Sequence, residues 1–384
     1  MTTVTIGPSS AVSILRSMFD TSDRLPVARP FLYGGEVEAV AHAVRQGWWS
    51  GTAPPVGEFE LAFSERIGAA HAVAVSSGTA ALQLVAEALE LGPGDEVIVP
   101  AFCMISPIAA VLRTGARLVL VDADSSWNLD PAGVAAAITD HTRLVLGVHT
   151  YGHPFRLGTI AQIAASAGVP LVEDAAEALG GCAEGINVGR GGVAAVFSTY
   201  ANKTISSGEG GMVTTDDSEL AERLRWTRNL CFGHGNDRFL HTQLGHNFRM
   251  SALCAALGQA QLVHLDRALD ARQHLAARYR LELANVPGLE LPPAQDWATH
   301  TYWVFGVLVD NPTGVAEELG KQGIETRQFF RCVADQPVVS IAERGEFPVA
   351  RRLASRGLYL PLFPGMSTED VSRVAMALRA ILSP

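Results

Sequence analysis

The chain runs to 384 residues, of which 48% are hydrophobic and 18% charged. This is long enough for two domains with a sizeable core, and the composition excludes an intrinsically disordered chain. The formal net charge of −10 argues against nucleic acid or an anionic membrane as the main partner, although backbone amides can still bind a phosphate locally.

Residues 1–25 read as an N-terminal extension whose one amphipathic stretch, 11–19, suggests a short helix. From 36 to 46, Val37, Val40, Ala41 and Val44 recur at helical spacing, and a turn at 47–51 ends that helix. Strand and helix then alternate. Strands are expected at 72–75, 96–99, 117–121, 144–149 and 170–173, with helices at 79–89, 106–112, 131–138 and 160–167 between them. Asp130 is the expected cap of the helix at 131. Apolar runs at 193–197 and 212–215 add two further strands. This rhythm, with strands apolar on both faces, predicts a largely parallel sheet covered by helices. After residue 252 the pattern changes to a long helix at 253–282, a strand at 302–310, and helices at 314–322 and 368–382. The domain reading is a 1–25 extension, a larger α/β domain at 26–252, and a linking helix with a smaller α+β domain at 253–384.

Five cysteines, odd in number and without a C-x-x-C pair, suit a reducing compartment and give no metal signature. The N-terminus lacks the regions of a secretory leader, and no apolar run reaches the ~18 residues of a membrane span. A soluble cytoplasmic protein, without metal, membrane or nucleic-acid partner, is expected. His149 and His153 are four apart but flank Tyr151-Gly152 and precede Pro154, so no helix sets them on one face as metal ligands.

Chemistry concentrates around Lys203, which follows the strand ending Phe197-Ser198 and precedes the turn Gly208-Glu209-Gly210-Gly211. Upstream, an apolar strand ends in Glu173-Asp174, and Ser77-Gly78-Thr79-Ala80 joins a strand to a helix. Each feature alone has an ordinary reading: a solvated lysine, a helix cap, and an N-cap. Together they are the parts of a pyridoxal 5′-phosphate (PLP) site. The lysine bonds the cofactor, the Asp keeps the ring nitrogen protonated, and the helix N-terminus with its Gly-Thr turn cradles the phosphate. Glu177, three residues beyond Asp174, is placed to face the ring's 3-oxygen side. The segment Gly245-His246-Asn247-Phe248-Arg249-Met250-Ser251 offers either a capped loop or donors, Asn247 and Arg249, for anionic groups.

In this order these residues resemble the DegT/DnrJ/EryC1/StrS sugar aminotransferases, PLP enzymes of fold type I. The resemblance runs from about residue 26 to the C-terminus. It rests on Pro26-Val27-Ala28-Arg29-Pro30, the Gly47-Trp48-Trp49-Ser50-Gly51 turn, Ser77 to Leu82 and Gly94 to Pro100, and continues through Glu173-Asp174-Ala175-Ala176-Glu177, Lys203 with its glycine turn, Asn247 to Met250 and Gly323 to Arg327. Stretches such as Ser126-Trp127-Asn128-Leu129-Asp130-Pro131, Val148 to Pro154 and Arg238 to His241 are most similar to perosamine-synthase-like 4-aminotransferases.

The resemblance implies an α/β fold, with a large domain built on a mostly parallel seven-stranded sheet and a smaller C-terminal α+β domain. It implies a homodimer with active sites at the interface, L-glutamate or L-glutamine as amino donor, and a nucleotide-linked keto-deoxysugar as acceptor, GDP-4-keto-6-deoxymannose above all. A 3-keto nucleotide sugar, a dTDP- or UDP-linked 4-keto sugar and a cyclitol ketone stay open, as does a non-catalytic regulatory homologue. Relatives that dehydrate sugars carry His in place of Lys203. By position, Lys203 carries the cofactor, Asp174 pairs with the ring nitrogen, and Gly78, Thr79, Ala80 and Ser198 hold the phosphate, which Asn247 reaches from the second subunit. Glu177 stands where many relatives have Gln or His, and Met104 where many have an aromatic on the ring. Trp49, Ser50, His246, Arg249, Arg327 and Phe330 are the substrate-side candidates. Two stretches depart from the family: Arg190-Gly191-Gly192-Val193-Ala194 on the approach to Ser198, and the loop Gln328-Phe329-Phe330-Arg331-Cys332-Val333-Ala334 near the sugar end of the site.

Overall fold

The computed structural model describes residues 24–233, 235–340 and 345–382, and the helix expected at 11–19 lies outside them. Helix α1 (Glu36–Arg45) begins where Gly35 takes a φ of 94°, and the Glu36 carboxylate accepts the Tyr33 and Gly34 amides at 2.7 and 2.8 Å. Helix α2 (Pro54–Ile67) follows, with its paired prolines in the first turn, where no intrahelical N–H is lost. Then β1 (His71–Val75), α3 (Gly78–Ala88), β2 (Glu96–Pro100), α4 (Ile105–Thr114), β3 (Arg117–Val121), α5 (Pro131–Ala137), β4 (Thr142–Val148), α6 (Leu157–Ser166) and β5 (Leu171–Asp174) alternate. Asp130 caps α5 by accepting the Ala132 and Gly133 amides. A hairpin of β6 (Cys182–Ala183) and β7 (Ile186–Asn187) precedes β8 (Ala194–Ser198), β9 (Gly211–Thr215) and α7 (Ser218–Thr227).

Seven of these strands form one sheet in the order β1-β9-β8-β5-β4-β2-β3. Neighbours pair in parallel except at β9, which is antiparallel to β1 and β8. The 199–210 connection contains no helix, so the chain returns beside β8 instead of crossing over. Val97, Ile98, Val99, Val145 and Val196 are fully buried between the helical layers, each contributing about 1.5–3 kcal/mol of burial. The sheet brings the carboxyl ends of β1, β5 and β8 to one edge, the usual ligand edge of such a fold.

The rest of the chain supplies α8 (Ala252–Leu262), α9 (Leu265–Glu282), β10 (Ala298–Thr299), β11 (Phe305–Leu308), α10 (Pro312–Lys321), β12 (Arg327–Gln328), α11 (Pro348–Arg356), β13 (Gly357–Leu360) and α12 (Thr368–Leu382). β10 joins the β6–β7 hairpin, and β11, β13 and β12 form a second, antiparallel sheet. Tyr279, Phe305, Leu319, Leu358 and Leu378 fill its core. Among the described residues no helix is long and apolar enough to cross a membrane.

Two expectations change. The single helix at 253–282 is two, because His264 bonds back to the Gln261 carbonyl, an i−3 contact, while its ring stacks on Tyr33 and the Gln261 side chain reaches Phe31 and Glu36. The strand at 302–310 shortens to β11. Tyr302 takes a φ of 50°, and buried Arg272 takes the Tyr302 and Trp303 carbonyls at 3.3 and 2.9 Å. Helices α2, α7 and α11 were not expected. Their apolar residues (Val56, Phe59, Phe63 and Ile67 in α2, Leu220 and Leu224 in α7, Ala350 and Leu353 in α11) do recur at helical spacing, and the burial that holds them is tertiary.

Candidate active site

Ser77 is extended, and its hydroxyl caps α3 by accepting the Ala80 amide at 3.1 Å. The first amides of α3, at Gly78 and Thr79, therefore begin a positively polarised terminus. Ser198 comes up against it: a Cβ on Gly78 would lie 3.1 Å from the Ser198 Cβ and 3.5 Å from its Oγ. The Thr79 hydroxyl meets the Ser106 hydroxyl at 2.8 Å, and the Met104 Sδ accepts the Ser106 amide at 3.3 Å. Gly78, Thr79, Ala80, Ser198 and Met104 thus share one edge. Gly211 makes the approach possible, since a Cβ there would sit 2.6 Å from the Ser77 carbonyl oxygen. Gly211→Ala is expected to cost about 1–3 kcal/mol through overpacking against backbone, read as a lowered melting temperature.

Lys203 follows a tight turn in which its amide bonds the Tyr200 carbonyl at 2.9 Å. Its side chain is only 12% exposed, with Nζ 3.8 Å from the Glu177 Oε1 and 3.7 Å from the Trp303 ring centroid. Burial lowers the lysine's pKa, opposed by the negative charges of Glu177 and Asp174 and helped by the Arg272 guanidinium. Burial also pushes Glu177 up to about 7, against the pull of Lys203. Asp174 is raised by burial too, opposed by the Ala176 amide at 3.0 Å and by Lys203 and His149. The arrangement is an amine that can lose its proton beside two carboxyl groups reluctant to ionise. Lys203 and Lys321 are the two lysines of the whole chain, a signal that singles out Lys203 before any motif does.

Behind Asp174, the fully buried Glu173 accepts from the His149 Nε2 (3.0 Å) and from the amides of Gly189 (2.8 Å), Gly191 (2.7 Å) and Gly192 (3.2 Å). This network accounts for the unusual Arg190-Gly191-Gly192 stretch. A Cβ on Gly191 would strike the Leu157 side chain, and one on Gly192 the Leu171 carbonyl, both at 2.4 Å. His149 stacks on Phe155, and the His153 Nδ1 faces the Pro154 carbonyl at 2.8 Å. The backbone of β5 is thereby fixed where Asp174 leaves it.

Around this centre the other candidates divide. The Trp49 carbonyl accepts the Ala252 amide at 3.3 Å, the Ser50 hydroxyl meets Thr52 at 2.9 Å, and Gly51 lies against Arg249. Arg249 donates to the Asn229 side chain at 2.5 Å. Asn247 is exposed and pairs with Asn229 through the backbone. Arg327 is half exposed opposite Tyr359 on β13, and Phe330 packs on Tyr151. His246 goes elsewhere. Its Nε2 lies 2.8 Å from Glu87 and its ring stacks on Phe248. Glu87 is at the far end of α3, about 13 Å along the axis from Gly78 at 1.5 Å per residue. An open cavity of about 1020 Å³ there is lined by Glu87, Arg223, Trp226, Asn229 and Arg238, and by none of Lys203, Asp174 and Glu177. Sequence reasoning missed Tyr151, Trp303 and Arg272.

The family model for the DegT/DnrJ/EryC1/StrS aminotransferases matches residues 33–379. The chain belongs to this family. As a DegT/DnrJ/EryC1/StrS sugar aminotransferase it is 36% identical to the GDP-perosamine synthase of Caulobacter vibrioides, over 94% of this chain and 98% of that one. It is also 36% identical to the UDP-N-acetyl-3-dehydro-alpha-D-glucosamine 3-aminotransferase of Acidithiobacillus ferrooxidans, over 82% of this chain and 85% of that one. Among solved structures, S. venezuelae DesV shares 34% identity and the fold at a TM-score of 0.86, covering 98% of this chain and 97% of DesV. The residues of this family member fit a phosphate-bearing cofactor with a cationic ring nitrogen. The α3 terminus and Ser198 would take the phosphate, buried Asp174 the nitrogen, and Lys203 the covalent link.

Proposed function

We propose that this chain is a PLP-dependent aminotransferase that moves an amino group from L-glutamate, or L-glutamine, to the keto carbon of GDP-4-keto-6-deoxymannose. The observation that carries this reading is the burial of Lys203 against Glu177 and Trp303, beside Asp174 and the cradle of Gly78 and Ser198. Bound there, the cofactor supplies an aldehyde and a ring that accepts the electrons released at the substrate carbon. Gly78, Thr79, Ala80 and Ser198 hold its phosphate. Asp174 would keep a proton on the ring nitrogen, Glu177 would serve the 3-oxygen side, and the Met104 thioether would offer the ring a polarizable contact. Lys203 would anchor the cofactor, and its free amine would move the proton at the carbon bearing the substrate amine.

On the substrate side, Arg249 and Arg327 offset the charge of the diphosphate, which the net −10 of the chain would otherwise repel. Trp49, Ser50 and Phe330 frame the sugar. A second copy of the chain brings its Asn247 to the phosphate, giving a homodimer with shared sites. The exposure of Asn247, and its lack of a side-chain hydrogen bond among the described residues, support this. The two functional lobes are 26–252 and 253–384, and the five free cysteines suit action in the cytoplasm.

Equal identity to a 3-aminotransferase supports a second reading, amination at C3. The two separate in one assay. With L-glutamate as donor, candidate keto sugars are offered singly, 2-oxoglutarate release is followed, and the product is placed by NMR. A 4-amino product from GDP-4-keto-6-deoxymannose is expected. Turnover only with a 3-keto, dTDP- or UDP-linked sugar, or with a cyclitol ketone, would replace the acceptor, and no turnover with any of them would sink the sugar reading.

A further inference from the structure

Tyr151 stands between two parts of the molecule. Its backbone is left-handed, at φ 58° and ψ 15°, an uncommon conformation for an aromatic residue and one that needs support from its surroundings. The support comes from both ends. The Tyr151 amide donates to the Glu177 Oε2 at 2.7 Å, and its hydroxyl accepts the Phe330 amide at 2.9 Å. The other Glu177 oxygen lies 3.8 Å from the Lys203 Nζ. The ring is 2% exposed and packs among Phe102, Phe329, Phe330 and Tyr359, with Trp303, the residue that covers the Lys203 amine, stacked beside it.

The flanking backbone is pinned as well. The Thr150 amide donates to the Asn128 side chain at 2.9 Å, and the Gly152 carbonyl accepts the Thr301 amide at 2.9 Å. The loop beyond Phe330 is held to the sheet edge by a 2.8 Å bond from the Val333 amide to the Ala101 carbonyl, and it exposes Arg331.

We infer that Tyr151 is a positioning residue that ties the 329–333 loop to Glu177 and so holds that carboxylate against the Lys203 amine. The catalytic meaning of this link rests on the aminotransferase reading, while the link itself does not. The charged and titratable groups around the amine are Glu177, Asp174 and Arg272, and those around Glu177 include Cys103, Tyr151 and Tyr359. The sign follows from them. An amide aimed at Glu177 favours its ionised form, and ionised Glu177 favours protonated Lys203. Losing the link lets Lys203 become a free amine at lower pH.

The test is acetylation of the cofactor-free full-length chain by acetic anhydride across pH, read by peptide mass spectrometry. Only two lysines compete, so exposed Lys321 serves as the internal reference. Glu177→Gln is expected to raise Lys203 labelling at neutral pH about tenfold relative to Lys321, as removal of an opposite charge at this range does. Tyr151→Phe keeps the backbone amide on Glu177 and removes only the hydroxyl that holds the Phe330 amide; by freeing the loop end of the left-handed Tyr151 it should raise labelling about threefold, roughly half the logarithmic effect. Because Tyr151 acts through Glu177, the double variant should match Glu177→Gln alone. A Tyr151→Phe profile equal to wild type, or effects that multiply in the double variant, would overturn the inference. Unfolding would give itself away by making Lys203 as reactive as Lys321 in a chain whose melting transition is gone, and Tyr151→Trp, which keeps a ring but whose indole N–H is a donor only and so also removes the acceptor, then takes its place. Since no cofactor or substrate enters the measurement, failure of the aminotransferase reading leaves this test standing, and the reverse.

Discussion

Replacing Lys203 by alanine is expected to lower transamination by about 10⁴-fold or more, because the proposed function gives this one residue two roles. Positioned proton transfer alone contributes about 10²–10⁴, and the covalent anchor is lost with it. Lys203→Arg should be no better, since a guanidinium stays protonated and can neither bond the aldehyde nor accept the proton. Turnover is measured with and without an added small amine such as methylamine, which should restore a fraction of the alanine variant's proton transfer and none of the arginine variant's. A second readout does not depend on rate. Borohydride treatment of wild type loaded with PLP should fix one phosphopyridoxyl group on the peptide containing Lys203, with none in either variant. The choice is between two lysines, and Lys321 lies on the surface against Glu318. Steady-state turnover retained in Lys203→Ala would remove the residue from its role.

What the sequence made legible is what lies close along the chain. The alternating apolar runs and the caps at Ser77 and Asp130 are local signals, and the structure contains the corresponding elements. Asp174 and Ser198 could be read as strand ends because a polar residue after a buried run has little choice but to lie at an edge. The residues that complete the site come from far away. Trp303 lies over Lys203 across 100 positions of sequence, and Tyr151 reaches Glu177 by its backbone. No residue type announces a left-handed tyrosine. Glu173 was visible, but its four donors arrive from His149 and from three glycine amides that only the folded turn aligns. His246 shows how neighbours in sequence can face different surroundings. It neighbours Asn247 in sequence, yet along an extended segment successive side chains diverge, and His246 is taken by Glu87.

Asp174→Asn is the second large effect expected, a fall of roughly 10²–10⁴ in kcat at saturating cofactor. The amide is nearly isosteric and can keep the contact with the Ala176 N–H, so the fold around β5 should survive. What it cannot do is carry charge. In the structure the Asp174 carboxyl is buried and its pKa raised, with the Ala176 amide and the cationic side of Lys203 as the main opposing influences. A protonated ring nitrogen at van der Waals range would draw it down again, and each would hold the other in its charged form. Removing one partner of such a buried pair costs about 3–5 kcal/mol, which in a transition state corresponds to the rate loss given above. Here the lost charge returns as a neutral ring nitrogen that withdraws electrons poorly, so the penalty should appear in kcat more than in KM for the donor. Asp174→Glu keeps the charge but lengthens the arm, and should recover part of the rate. Glu173→Gln should cost less than either, because it only loosens the strand end from which Asp174 projects. If Asp174→Asn instead turned over at the wild-type rate, the ring nitrogen would have to lie elsewhere, and the buried carboxylate would be no more than the cap of the Ala175–Ala176 turn.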